Sequence, residues 1–406
     1  MFFKKRNFLF LAVAMLAVPL VACDPADSGV KLKVWAPTED KAVMEHIISE
    51  FNKTEEGKGV SIELKHVKEG DVRTELTKDA EAAADVFALV DDNLTELVKT
   101  NNLLELKGQI KTDAIAASID WTVDAATRDG KLYGFPQTSD NTYFLWYNKA
   151  LVDATDIATL EGLLAKAKSL GKNVEYDIPN AWQGTSLYLG GGGTISVTPA
   201  AQAGDPDIQN CNYDSAGVVD IVEKAYTLKG GANGSAWTAN DNVVAGMTAA
   251  TPTVVAGVGG TWQYEELLEA LGDDLGAAKL PTLDGKQLGS FRSAKLVSVK
   301  ANTKYPNEAL AFAKFSTSYD SQKHRFEQRG IGPANKVASE LPAVNASVML
   351  AAVNAQNEFG VNQATAVTGG YWDPVGAIGK MIMDQDWDPY DGAASALAAA
   401  VSQMNQ

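Results

Sequence analysis

From Val30 onward the chain alternates strand-like and helix-like segments, and this alternation limits its possible architecture more than any other feature. Val30 to Ala36 reads as a strand with every second residue apolar, and a polar turn at Pro37 to Asp40 follows. Met44, Ile47, Ile48 and Phe51 then recur at helical spacing, which predicts an amphipathic helix with one buried face. Val60 to Leu64 is a second strand, Leu76 to Ala84 a second helical stretch, and Asp85 to Val90 a third strand, apolar after its first residue. A β-α-β-α-β order predicts parallel strands with helices on both faces and a ligand at the carboxyl ends of the strands.

The 22 residues before Cys23 belong to a different kind of segment. Lys4, Lys5 and Arg6 precede an apolar run from Phe8 to Val21, too short to span a bilayer and typical of a removable export signal. Its ending, Leu20-Val21-Ala22-Cys23, resembles the bacterial lipobox, which implies lipidation of Cys23 and a tether over residues 23–29. About 380 residues then remain, more than one core usually organises, so two lobes are expected. With Cys23 occupied by lipid, Cys211 is the remaining cysteine and no intrachain disulfide is expected. Loss of the three basic residues takes the formal charge from −16 to about −19, a surface that repels nucleic acid and anionic headgroups.

Further along, Gly130 to Pro136 reads as a hairpin turn entering a strand, and Tyr143 to Asn148 as an apolar strand. Leu296 to Val299 is a late strand, Pro306 to Phe315 a helix, and the chain from Ala338 onward is helical in pattern. Gly190 to Thr194 has the look of a phosphate loop but lacks its lysine and spacing, so a flexible turn near the cleft is expected. The three histidines His46, His66 and His324 are scattered, and no Gly-x-Ser-x-Gly elbow is present. No metal site and no cofactor are expected.

The order of these pieces resembles the extracellular solute-binding proteins of bacterial ABC sugar importers, and among them the maltose/maltodextrin-binding type. The likeness rests on Leu32 to Trp35, on Ala84 to Phe87 followed by Asp91-Asp92, and on Asn101 to Leu106. It continues through Gly130 to Pro136, Trp146 to Leu151, Gly259 to Trp262, Lys279 to Thr282 and Gly369 to Trp372. The resemblance implies a two-lobe α/β fold of the periplasmic-binding-protein type II, with ligand in the interlobe cleft and a multi-strand hinge. Residues 30–138 and 290–333 would form one lobe, and 139–289 and 334–406 the other. Crossings are expected near Gln137 to Thr142, Asp284 to Arg292 and Gly330 to Lys336.

The resemblance also implies a site. Trp182, Trp262 and Trp372 fall where the family stacks sugar rings, and Asp92 where it places an acid that binds hydroxyls. Either Asp140 or Asn141 would supply the acid or amide at the first crossing, since one extra residue separates Pro136 from Tyr147. Glu39, Asp40 and Lys41 occupy the turn where the family has an acid and a lysine. Leu89 stands where the family carries an aromatic, so one stacking contact is absent or comes from Trp35 or Tyr371; Asn93 replaces a frequent arginine. The chemistry suits a sugar, whose hydroxyls need planar hydrogen-bond partners and whose C–H faces lie against aromatic rings. The expected activity is capture of a maltose/maltodextrin-type oligosaccharide and its delivery to the transmembrane subunits of an ABC permease. The expected protein is a monomer, exported and lipid-anchored at the outer face of the cell membrane, and not an enzyme. The alternatives are a receptor for another oligosaccharide and, from other classes, a surface glycoside-active enzyme or an adhesin lipoprotein.

Overall fold

The computed structural model of the protein describes residues 29–79, 82–198, 207–387 and 392–405. The expected export signal, Cys23 and most of the expected tether lie outside the described residues. Among those described, no helix is long and apolar enough to cross a membrane.

The opening strand Val30–Ala36 pairs in parallel with Val60–His66 on one side and with Val86–Val90 on the other. Val86, Phe87 and Leu89 are fully buried and Ala88 nearly so, as expected for a strand covered on both faces. Helix Lys41–Phe51 covers one face with Val43, Met44, Ile47 and Phe51. Phe51 meets Phe312 of helix Pro306–Ser316 edge-on, with ring centroids 5.2 Å apart. Two further strands complete this five-stranded sheet: Lys295–Val299, antiparallel to Val86–Val90, and Phe135–Pro136 at the edge. The first lobe is therefore assembled from distant parts of the chain.

The second lobe is built on a seven-stranded sheet centred on Asn141–Asn148. In that strand Tyr143 and Leu145 point into one core, and Phe144 and Trp146 into another on the opposite face. This two-residue alternation explains why the segment is apolar throughout. Val254–Gly260 and Leu275–Ala278 flank it antiparallel, and Ser290–Ser293 pairs with its first residues. Gly360–Asn362, within the stretch expected to be helical, adds a parallel strand beside Ser290–Ser293.

Three segments run side by side between the sheets. Gln137 and Thr138 donate backbone N–H groups to Lys295 O at 2.8 and 3.3 Å, and Ser139 N donates to Gly332 O at 2.9 Å. Ser139 Oγ adds a hydrogen bond to Pro333 O at 2.9 Å. The middle passage lies at Ala294, later than the expected 284–292. Asp284 and Gly285, with φ of 50° and 74°, form the tight turn of a hairpin, and Ser290–Ser293 still belongs to the larger sheet. Turn residues at that point mark a hairpin inside the second lobe and not a change of lobe.

Gly190, Gly191 and Gly193 are also packed more tightly than expected. A Cβ on Gly191 would lie 2.7 Å from Gly217 O, and one on Gly193 2.9 Å from the Tyr213 ring. Glycine is needed there so that two helices can approach closely.

Asp40, expected to face ligand, is instead buried at 3% exposure and accepts hydrogen bonds from both Arg325 and Arg329. The reason is the helix Tyr319–Arg329, which packs against Lys41–Phe51 and brings two guanidinium groups to this carboxylate. Asp40→Ala strands the fully enclosed Arg325 charge, so a loss of about 3–5 kcal/mol is expected. Urea unfolding of the variant against wild type measures it.

Candidate ligand-binding cleft

The third parallel strand ends at Val90, and the turn Asp91–Asn93 leads into helix Leu94–Lys99. This sets Asp92 at the carboxyl end of a parallel strand, on the wall of a cavity of about 680 Å³. Residues of both lobes line the cavity: Asp92, Thr95, Lys99 and Arg128 from the first, and Gln363, Thr368 and Trp372 from the second. Its volume lies in the ordinary range for small-molecule sites. Asp92 Oδ1 accepts from Asn93 Nδ2 at 2.9 Å, so the neighbouring amide holds the acid in place. Partial enclosure raises the Asp92 pKa, with the Asn93 backbone N–H and the Arg73 charge acting against the rise.

The tryptophans come from three elements of the second lobe, and of the three Trp372 lines this cavity. Trp262 lies in the turn Thr261–Gln263 directly after strand Val254–Gly260 and is 60% exposed. A Cβ on Gly260 would meet its ring at 2.0 Å, so glycine lets the indole lie on the backbone. Trp182 opens helix Ala181–Gly190, its ring 5.7 Å from that of Trp262, and its Nε1 donates to Gln363 Oε1 at 2.8 Å. Trp372 opens helix Trp372–Asp384, half-buried, and faces both the cleft and a neighbouring cavity of about 550 Å³ that Trp182 also lines.

Other residues named from the sequence sit elsewhere. Trp35 is 6% exposed and packs beside Phe87 in the first-lobe core, because an opening strand in mid-sheet has both faces covered. Tyr371 has no exposure; its hydroxyl bonds to Thr185 Oγ1 at 2.6 Å and Tyr213 OH at 3.0 Å. Neither ring offers the face that stacking on a sugar requires. Asp140 is buried in the first crossing and accepts from Gly332 N at 3.1 Å, its pKa raised by burial. Asn141 donates to Ser293 Oγ at 2.5 Å. Glu39 and Lys41 are exposed, with Lys41 3.9 Å from Glu45. None of these four lines the cavity.

Sequence reasoning did not single out Arg128. It precedes the Asp129-Gly130 turn, whose positive φ values make a hairpin of Thr127–Arg128 and Lys131–Leu132. Its guanidinium donates to Thr95 Oγ1 at 2.7 Å, to Ala125 O and Thr127 O, and to Asp91 O at 3.1 Å. So engaged, it braces the cleft wall. The signal was the turn itself, which aims an arginine back at the preceding helix.

Residues 46–352 match the profile described as bacterial extracellular solute-binding protein. The chain belongs to that family. Solved structures resemble this solute-binding protein over nearly its whole length. The maltodextrin-binding protein MalE1 from L. casei BL23 superposes with a TM-score of 0.80 at 19% identity, covering 93% of this chain and 99% of that one. A cyclo/maltodextrin-binding protein complexed with maltotetraose gives 0.78 at 24% identity, covering 92% and 96%. An extracellular solute-binding protein from Staphylococcus aureus in complex with maltose gives 0.75 at 22%, covering 92% and 96%. At these identities the likeness establishes the two-lobe fold. Among curated proteins no sequence matches the chain.

Beneath Asp92 the solute-binding protein buries a second acid. Asp91 has no exposure, accepts from Ala294 N through Oδ2 at 3.1 Å, and has no partner for Oδ1 among the described residues. Burial raises its pKa to about 8 against the opposing pull of the Ala294 N–H and the Arg128 charge. Below about pH 4 folded and unfolded chains both hold this proton, and the stability it confers is complete. As pH rises toward 8 the unfolded chain releases the proton while the folded chain retains it, so stability falls through that window. Asp91→Asn removes the titration. Its stability relative to wild type should rise steadily from pH 4 to pH 8, by up to about 1.4 kcal/mol per pH unit, read as a growing difference in melting temperature in thermal scans across that range.

Proposed function

We propose that this solute-binding protein is the lipid-anchored receptor of an ABC importer and captures maltodextrin-type oligosaccharides between its lobes. The observation that carries the reading is one cavity bounded by Asp92 of the first lobe and Trp372 of the second. A carboxylate accepts hydrogen bonds from sugar hydroxyls, and an indole face covers the C–H side of a pyranose. Trp182 and the exposed Trp262 continue the aromatic surface along the second lobe. The ligands named for the structural relatives, maltotetraose and maltose, belong to the same chemical class.

The proposed mechanism is capture and release without a chemical step. With the lobes apart, the tryptophans present an apolar shelf for the sugar. Closure brings Asp92, held by Asn93, and the Thr95 hydroxyl against the opposite side of the ring. Both kinds of contact are complete in the closed form alone, so ligand and closure stabilise each other. The closed protein then docks on the permease. Stacking and hydroxyl contacts of ordinary strength correspond to a micromolar dissociation constant, roughly −8 kcal/mol.

Thermal unfolding of the mature protein with maltose, maltotriose, longer maltodextrins, and xylo-, cello- and manno-oligosaccharides tests the ligand. At about a hundred times its dissociation constant the right sugar adds roughly 2.7 kcal/mol of stability. The α-1,4-glucans should do so, and Trp372→Ala should abolish the shift; stabilisation by a different sugar series alone would replace the ligand. Lipidation has its own test. Cys23→Ser should move the exported protein from the membrane fraction to the soluble fraction, and unchanged membrane retention would reject the anchor.

A further inference from the structure

A charged contact at the cleft joins the two lobes. Lys99, the last residue of helix Leu94–Lys99 in the first lobe, holds its Nζ 2.8 Å from Oδ2 and 3.0 Å from Oδ1 of Asp207. Asp207 directly precedes strand Ile208–Cys211, which pairs antiparallel with Ile195–Thr198 as a ribbon of the second lobe. That ribbon is fixed to its lobe by Gln209, whose Nε2 donates to Ala366 O at 2.8 Å and whose Oε1 accepts from Thr368 N at 2.7 Å. Each partner of the ion pair therefore stands on a firm support, and the supports belong to different lobes. The Asp207 side chain is 18% exposed and that of Lys99 47%, so the pair is half-sheltered and partly screened by solvent. Asp207 also lines a further cavity of about 440 Å³ reaching Gln403 and Met404, so the pair stands at the boundary between that cavity and the cleft.

We propose that Lys99 and Asp207 are affinity-determining residues of the cleft, whose ion pair draws the lobes together before ligand enters. The proposal rests on the capture reading of the cleft and not on the identity of the sugar. Open and closed arrangements of such proteins differ by only a few kcal/mol, so a modest bias moves their populations. A pair within one lobe, such as Lys286–Asp220 at 2.8 Å, is present in either arrangement and biases neither. The Lys99–Asp207 contact exists only with the lobes together, so it favours closure. Apparent affinity follows the population of the closed form.

The test uses the mature protein with Lys99→Glu, Asp207→Lys, and both together. Small-angle X-ray scattering of the unliganded forms should show a larger radius of gyration for each single reversal and a return toward wild type in the double swap. Reversing Lys286 instead should leave the scattering unchanged. In 1 M salt, where the screening length is about 3 Å, wild type should approach the single variants. Maltotriose affinity by calorimetry should fall about two- to fivefold in the single variants and recover in the double. Circular dichroism melts establish that all variants are folded. Scattering of the single reversals equal to wild type, or a double swap no closer to wild type than its parents, would overturn the proposal. Scattering needs no ligand, so failure of every sugar to bind would reject the oligosaccharide reading and leave this comparison decisive.

Discussion

Asp91 and Ala294 are joined twice, by Asp91 N to Ala294 O and by Ala294 N to Asp91 Oδ2, each at 3.1 Å. Ala294 is the residue at which the chain passes from the larger sheet to the smaller, and Asp91 is the first residue of the turn that carries Asp92. This double contact ties the wall of the cleft to the axis about which the lobes would move. Arg128 secures the same turn from the other side through Asp91 O. A binding residue on a hinged body is useful only where its position relative to the hinge is constant, and this short network supplies that constancy. Burial of an acid at its centre is the energetic cost, visible in the raised pKa of Asp91.

The two lobes divide the chemistry of the cleft. The first contributes polar groups from the carboxyl end of a parallel strand and from the hairpin at Arg128, placed by backbone geometry and braced by hydrogen bonds. The second contributes indoles at helix and strand ends, where Asn180 caps the helix that carries Trp182 and glycine beneath Trp262 lets its ring lie on the backbone. Apolar faces tolerate exposure while the cleft is open, and polar groups remain solvated there. Neither lobe alone encloses a ligand, and the two kinds of contact become complementary only on closure.

The opening alternation was legible because strand and helix periods are local. Met44, Ile47 and Phe51 lie buried on the face their spacing implies, and Tyr143 to Trp146 is apolar because both sides of that strand are covered. Asp92 could be placed at a strand's carboxyl end for the same reason. Trp35, Tyr371 and Asp40 could not be read correctly, since their fate depends on distant partners: Phe87 beside Trp35, Thr185 and Tyr213 at the Tyr371 hydroxyl, and two arginines of a late helix at Asp40. The passage at Ala294 was misplaced because a turn looks alike in sequence whether it closes a hairpin or leads between lobes.

What the sequence determined by itself is the order of the opening elements and the expectation of two lobes, which follow from periodicity, turn chemistry and chain length. The residue types of a sugar site came from the resemblance to the solute-binding family. The tertiary structure alone decided which of those residues reach the cleft, that Arg128 braces it, and that Lys99 meets Asp207 across it. Both lobes are discontinuous, and side chains that share the cavity lie far apart along the chain. Burial and charge pairing of that kind are properties of the packed molecule, with no local pattern to announce them.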